Sequence, residues 1–365
     1  MTAPSREDRA IAADLLRWFG ANARALPWRQ PGPAGLRRDP YRVLVSEIML
    51  QQTQVPRVVQ RFHEFLARFP GVAALAAADE DDVLHAWTGM GYYRRARLLH
   101  AAARAIAERH GGVVPNDPAA LRALPGVGAY TAGAIAAFAF NLPQPAVDTN
   151  VGRVLLRLGG VERPVEDARS RRYAAERAGA LAAAAADRAG DLSESLIELG
   201  ALVCVAGVPR CEVCPVARRC AAFRTGRQAL IPPPSKKAAR SVTTHRVYVI
   251  EDARGRLLVE RRPERGLWSK MWQAPTLEAA PRPTPAAVRA FEKALGLGRA
   301  TRTGSFVHDT THREVRFEVC VARIADEIAP GGRRWASRAD LERLAMSTPM
   351  RAILLGPATP LGGTS

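Results

Sequence analysis

Four cysteines, Cys204, Cys211, Cys214 and Cys220, follow the spacing C-x6-C-x2-C-x5-C. Thiolates gathered in one short loop bind a soft metal or an iron–sulfur centre. A tetrahedral zinc site normally joins two close Cys or His pairs, whereas this loop has one C-x2-C pair flanked by single cysteines. A four-iron cubane with one thiolate on each iron fits that spacing better, and zinc is the alternative. Cys320 lies alone in a strand-like run and reads as a small buried hydrophobe.

Two carboxyls stand out for a different chemistry. Glu47 lies in the apolar helical run Tyr41–Gln54 and shares a stripe with Gln51 and Gln54, without a cation to balance it. Such a stripe suits a cleft that partly desolvates the carboxyl and raises its pKa toward that of a general acid; an ordinary exposed Glu is the alternative. Asp148 and Asn150 precede a helix that begins near Val151, where either is also a natural N-cap. A protonated and an ionised carboxyl together form the usual apparatus for cleaving a glycosidic bond through an oxocarbenium-like transition state. All four lysines, Lys236, Lys237, Lys270 and Lys293, follow Ile231, so residues 1–230 hold no side-chain amine for Schiff-base chemistry.

Two further motifs point to a polyanion. In Leu124-Pro125-Gly126-Val127-Gly128-Ala129-Tyr130, glycines between two helical runs bring backbone N–H groups close to a phosphate, as in a helix-hairpin-helix; a plain helix–helix turn is the alternative. Trp87 to Arg97 mixes glycines, the pair Tyr92-Tyr93 and the cations Arg94, Arg95 and Arg97, which suits base stacking and phosphate contact, with one tyrosine expected in the core.

The elements that must position these residues divide the chain in two. Helical periodicity recurs in Ile11–Phe19, Tyr41–Gln54, Val58–Phe69, Val83–Trp87, Ala96–Ala107, Ala129–Phe140, Val151–Leu158 and Leu192–Val203. This predicts an all-α domain over 1–230, ending in the cysteine loop. A basic, proline-rich linker spans 231–242. The period then becomes two: Val247–Ile250 and Leu257–Glu260 form a hairpin, Val315 to Val321 a half-buried strand, and Pro285–Leu295 a helix. An α+β domain over 243–356 and a disordered tail over 357–365 complete the expectation.

The net charge of +18 divides as +8 before Ile231 and +10 from it onward, so both parts suit nucleic acid. Apolar runs such as Ala132–Phe140 are too short to cross a bilayer, and Arg6-Glu7-Asp8-Arg9 replaces a signal-peptide core. A cytoplasmic, nucleoid-associated monomer is the expectation.

The cysteine spacing, the L-P-G-V-G hairpin and Ser46-Glu47-Ile48-Met49-Leu50-Gln51-Gln52-Thr53-Gln54-Val55 together resemble the helix-hairpin-helix DNA glycosylases with an iron–sulfur loop, and among them the adenine-specific branch. The resemblance implies a double-stranded DNA partner with adenine opposite 8-oxoguanine or guanine. It implies Glu47 as general acid, Asp148 as the carboxylate facing the sugar cation with Asn150 beside it, and the four cysteines as ligands of a [4Fe–4S] cluster. Tyr130 stands where lyase-competent relatives carry a lysine, implying a monofunctional enzyme that leaves an abasic site. Gln51, Gln52, Thr53, Tyr92, Arg94, Gly126 and Gly128 fall at DNA-contacting positions, and Arg210 in the DNA-binding loop that the cluster shapes.

Residues Gly266-Leu267-Trp268 and Met271-Trp272-Gln273-Ala274-Pro275 resemble the MutT-like (Nudix) domain of that branch. With only Glu278 and Glu292 between Pro275 and Gly298, it reads as a lesion reader and not a hydrolase. Phe306 and His308 fall in the inspecting loop, with Val307 where the branch often has a serine, which implies a looser preference for 8-oxoguanine. A thymine mismatch glycosylase is the rival within the superfamily, and a non-catalytic iron–sulfur DNA-binding protein the rival outside it.

Overall fold

The computed structural model describes residues 4–33, 35–235, 240–298, 300–310, 312–324 and 332–356. The chain forms two compact units, Met1–Ala78 with Arg95–Lys236, and Asp79–Arg94 with Lys237–Ser365.

The first unit is helical. Its elements are α1 (Arg6–Asn22), α2 (Pro40–Leu50), α3 (Val55–Arg68), α4 (Val72–Ala77), most of α6 (Arg94–Arg109), α7 (Pro118–Arg122), α8 (Ala129–Phe140), α9 (Thr149–Gly159), α10 (Ala168–Ala184), α11 (Ala189–Leu202) and α12 (Ala221–Arg224). Helix α1 opens with a reciprocal capping box between Ser5 and Asp8 and buries Ile11 and Leu15 against α9, α10 and α11. Each such side chain contributes roughly 1.5–3 kcal/mol when fully buried.

Helix α2 starts at the Asp39 N-cap with Pro40 in its first turn, and is buried nearly all round from Val43 to Met49. The apolar pattern suggests continuation to Gln54, but the helix stops at Leu50: Gln51 is extended, and Gln52 takes a left-handed φ of 55°. The buried Arg95 guanidinium donates to the carbonyls of Ile48, Met49 and Gln51, which satisfies the groups that the ending leaves free. Helix α10 is absent from the periodicity reading, because an Ala-rich segment carries little apolar contrast.

Helix α8 is apolar on every face and packs against α2 and α11. A Cβ on its Gly133 would lie 2.1 Å from the carbonyl oxygen of Pro145. Hydrogen alone permits the contact, so α8 and the segment leading into α9 meet backbone to backbone.

In the second unit, β1 (Ser241–Glu251), β2 (Leu257–Arg261), β3 (Trp272–Gln273), β4 (Thr276–Ala279), β5 (Thr301–Asp309), β6 (Arg313–Arg323) and β7 (Arg333–Ala336) form one mixed sheet. Its order is β3-β2-β1-β6-β5, with β4 on β1 and β7 on β2; β1 and β6 run parallel. Alternating side chains feed two cores. Val247, Val249 and Phe317 lie in one with α14 (Arg338–Arg343) and α15 (Thr348–Leu355), while Tyr248, Ile250 and Cys320 lie in the other beside Phe291 of α13 (Pro285–Ala294). Cys320 is a buried core residue, as its surroundings in the sequence suggest. The unit also takes in α5 (Glu80–Ala86) and the residues up to Arg94, through Tyr93 Oη donating to Met346 O at 3.2 Å and Arg261 pairing with Asp81 at 2.7 Å. Part of the linker, 236–239, and the tail 357–365 lie outside the described residues.

Candidate active site and cysteine hollow

A cavity of about 430 Å³ opens in the first unit, within the usual size of a small-ligand pocket. Glu47 enters it from α2, Tyr130 from the first turn of α8, and Asp148 and Asn150 from the start of α9. The contact at Gly133, one turn beyond Tyr130, brings the Asp148 segment to the same wall.

Glu47 is buried and its pKa is pushed up to about 7. Burial is the main cause; the hydrogen bond from Tyr130 opposes it, the charges of Asp148 and Glu194 add to it, and Arg29 opposes it. Glu47 Oε2 is shielded from solvent and has no hydrogen-bond partner. A carboxylate unpaired in that place is costly, and a proton relieves the cost. Burial, followed by the charges of Glu47 and Asp148, raises the Tyr130 phenol well above its ordinary range, so it remains a neutral donor.

Asp148 is both N-cap and cavity wall. Its Oδ1 accepts from the N–H of Val151 at 2.7 Å and its Oδ2 from Asn150 Nδ2 at 3.1 Å. A helix N-terminus is a favourable place for negative charge. Asn150 Oδ1 accepts from Arg153 Nη2 at 3.0 Å, and Arg153 also donates to the carbonyls of Cys204 at 2.9 Å and Gly200 at 2.8 Å. The cap, its polar neighbour and the start of the cysteine loop are thereby tied together along α9.

The cavity has walls that motif reading does not reach. Leu26, Trp28 and Arg29 come from the segment before α2, and Glu194 and Glu198 from α11. Four arginines of that segment are fastened to α11: Arg24 to Glu198 at 2.7 Å, Arg29 to Glu194 and Glu198 at 3.0 Å each, Arg37 to Asp191 at 2.5 Å and also to Glu194, and Arg38 to Glu194 at 2.8 Å. Burial would raise the Glu198 pKa, but Arg24 and Arg29 outweigh it and hold the carboxyl below its usual range. Removing one member of such a buried network is costly, so the network positions the segment firmly. The signal was present: Glu194 and Glu198 lie one turn apart on an apolar helix without a cation, much as the stripe that carries Glu47 has none.

Gln51, Gln52 and Thr53 line the same cavity, and Thr53 Oγ1 accepts from Arg95 Nη2 at 2.9 Å. Gly126 adopts a left-handed φ of 76° in its hairpin, and Gly128 is the N-cap of α8. Tyr92, Arg94, Phe306 and His308 belong to the second unit. Tyr92 is half exposed with a positive φ, while its neighbour Tyr93 is buried. Phe306 stacks on Phe317 with ring centres 4.9 Å apart, His308 lies beside Trp268, and Val307 is exposed.

Cys204, Cys211, Cys214 and Cys220 are free, partly buried thiols around one hollow that Arg157, Phe223 and Gln228 also line. Burial first, and the neighbouring cysteines with it, raises the thiol pKa values of Cys211, Cys214 and Cys220, that of Cys214 to about 12. Arg157 donates to Cys204 Sγ at 3.4 Å. Among the described residues no three Cys, His, Asp or Glu side chains form a group able to hold a metal ion. Also among the described residues, no helix is long and apolar enough to cross a membrane.

Residues 45–178 match the family described as HhH-GPD superfamily base excision DNA repair protein, and residues 246–356 match the NUDIX domain. The chain is 42% identical to the adenine DNA glycosylase of Mycobacterium tuberculosis (strain CDC 1551 / Oshkosh), over 67% of this chain and 76% of that protein. It is 33% identical to the adenine DNA glycosylase of Arabidopsis thaliana over 87% of this chain, and spans 58% of the plant protein's length. The solved structure of a thermostable thymine-DNA glycosylase aligns with a TM-score of 0.53 at 26% identity, covering 60% of this chain and 98% of that one.

Proposed function

The chain belongs to the adenine DNA glycosylases of the helix-hairpin-helix superfamily, and from that premise we propose that it hydrolyses the N-glycosidic bond of adenine opposite 8-oxoguanine or guanine. The observation that carries this reading is a buried acid with a pKa near neutrality, Glu47, sharing one cavity with the capped carboxylate of Asp148.

Adenine everts from the duplex into the cavity, beyond the reach of bulk water. Protonated Glu47, oriented by the Tyr130 hydroxyl, donates to the base as the C1′–N9 bond breaks, and the electron pair leaves with adenine. Asp148, whose direction is fixed by Val151 and Asn150, faces the developing sugar cation. Ionised Glu47 then takes a proton from water attacking C1′, leaving an abasic site. No lysine lies in residues 1–230 and Tyr130 occupies the corresponding position, so strand cleavage does not accompany base loss. Gln51, Gln52, Thr53, Tyr92 and Arg94 contact DNA, with the Gly126–Gly128 hairpin on the phosphates. Phe306 and His308 inspect the opposite base, and Val307 loosens the preference for 8-oxoguanine. In sequence the domains run 1–230 and 243–356, with residues 79–94 falling in the second compact unit, and the protein acts as a cytoplasmic, nucleoid-associated monomer.

A [4Fe–4S] cluster fits the four cysteines. They ring one hollow, and a multi-iron centre needs one thiolate per iron. The cluster supplies structural cross-linking of residues 204–220, and the base chemistry belongs to Glu47 and Asp148.

The thymine reading is weaker: similarity to the thymine glycosylase covers 60% of the chain, while residues 246–356 match a NUDIX domain that the adenine-specific branch also carries. The test is incubation with duplexes bearing A opposite 8-oxoguanine, A opposite G and T opposite G, with alkali to reveal abasic sites. Alkali-labile sites at adenine are expected. Release of thymine alone, or breaks without alkali at the rate of base loss, overturns the proposal.

A further inference from the structure

Gln228 follows α12 in a turn that Leu230 N–H closes onto Arg227 O at 3.0 Å. Gln228 lines the cysteine hollow, and its Oε1 is shielded from solvent and has no hydrogen-bond partner. A buried amide oxygen without a donor forfeits a hydrogen bond and its hydration. Gln228 shares that hollow with four sulfurs that carry negative charge when they hold metal, the wrong neighbours for an acceptor. A half-turn of the carboxamide exchanges oxygen for NH2 without changing its shape.

The rest of the hollow is already arranged to place donors on sulfur. Arg157 Nη1 donates both to Cys204 Sγ and to the carbonyl of Val205 at 2.7 Å, while Nη2 and Nε donate to the carbonyls of Gly207 at 3.1 Å and Ile231 at 2.7 Å. Arg157 therefore secures both the beginning of the loop and the chain just beyond Gln228.

We propose that Gln228 turns its amide NH2 inward and donates a hydrogen bond to a sulfur of the iron–sulfur centre, so that it helps to set the centre's reduction potential. The inference rests on the [4Fe–4S] reading above. A donor on sulfur stabilises the more negative, reduced state, so its removal shifts the potential downward.

The test uses the full chain as purified. Iron and sulfide content and the visible absorption first establish whether the centre is present; their absence defeats the cluster reading itself. Gln228→Met keeps length and loses the donor. Unchanged iron content with a more negative potential is the expected result, and an unchanged potential at full iron content overturns the proposal. A second measurement needs no variant. Pulsed electron paramagnetic resonance of the wild-type chain with 15N in glutamine side chains, after one-electron oxidation or reduction, should show 15N coupling to the cluster, and a spectrum without it overturns the proposal even if Gln228→Met sheds its iron.

Discussion

Glu47 in the first unit and His245 in the second are both buried titratable groups pushed toward their neutral forms, yet their surroundings differ. His245, on β1, has its pKa lowered to about 4, chiefly by burial; Glu278 opposes the shift, and Arg262 and Arg313 add to it. Its ring packs against Trp268 and Phe317, and its Nε2 lies 3.7 Å from Glu278 Oε2, while Arg262 pairs with Glu278 Oε1 at 2.5 Å. Glu47 has an unpaired oxygen beside a cavity of about 430 Å³. Desolvation moves a pKa in either setting. Room for a reactant and an unfilled hydrogen-bonding position are what separate a working group from a core residue.

The comparison breaks most directly with paired substitutions. Glu47→Gln should lower single-turnover excision of adenine by about 10²–10⁴-fold, the usual contribution of a general acid, while duplex affinity holds. His245→Phe should leave that rate within a few-fold at an A·G pair. Equal losses in the two variants, measured on the same duplex, would mean that the cavity and the unpaired oxygen do not distinguish the groups.

Asp148→Asn separates charge from capping. Asparagine caps a helix about as well as aspartate, so the melting temperature should stay near that of the wild type while excision falls by about 10²-fold or more. A large drop in melting temperature would instead assign Asp148 a mainly structural task.

The pH dependence sharpens the contrast. With Glu47 near 7, the excision rate should fall about tenfold per unit as pH rises well above 7, as the proton it donates is lost. Stability should respond in opposite senses in the two units. The folded pKa of Glu47 lies above its unfolded value, so folding binds a proton and stability falls as pH rises between about 4.5 and 7. Glu47→Gln should recover on the order of 3 kcal/mol at most in denaturant titrations at pH 8, and little at pH 4. The folded pKa of His245 lies below its unfolded value, so stability is lost as pH falls from about 6.5 toward 4, and His245→Phe should flatten that decline.

How much of this was legible in the sequence depends on how far apart the partners lie. Glu47 and Asp148 are conspicuous from local context, one as an acid on a helical stripe without a cation, the other as a cap. The cysteine quartet declares itself by spacing. Glu194 and Glu198 gave the same signal as Glu47, but the arginines that hold them lie in a segment without periodicity, at Arg24, Arg29, Arg37 and Arg38. Pairing across such a separation is a tertiary fact, invisible to any window. The mixed sheet shows the same division: alternation announces β1 and β6, but their parallel pairing depends on the intervening elements. Gln228 belongs to no motif, and only its unpaired oxygen draws notice.

The bare Gly133–Pro145 contact acts as a gauge. Two main chains touching without side chains between them leave no rotamer to adjust, so the span from the phenol of Tyr130 to the carboxylate of Asp148 is set by peptide dimensions and not by packing that can drift. A methyl group at position 133 would spread the jaws of the cavity without altering any residue that grips the nucleotide.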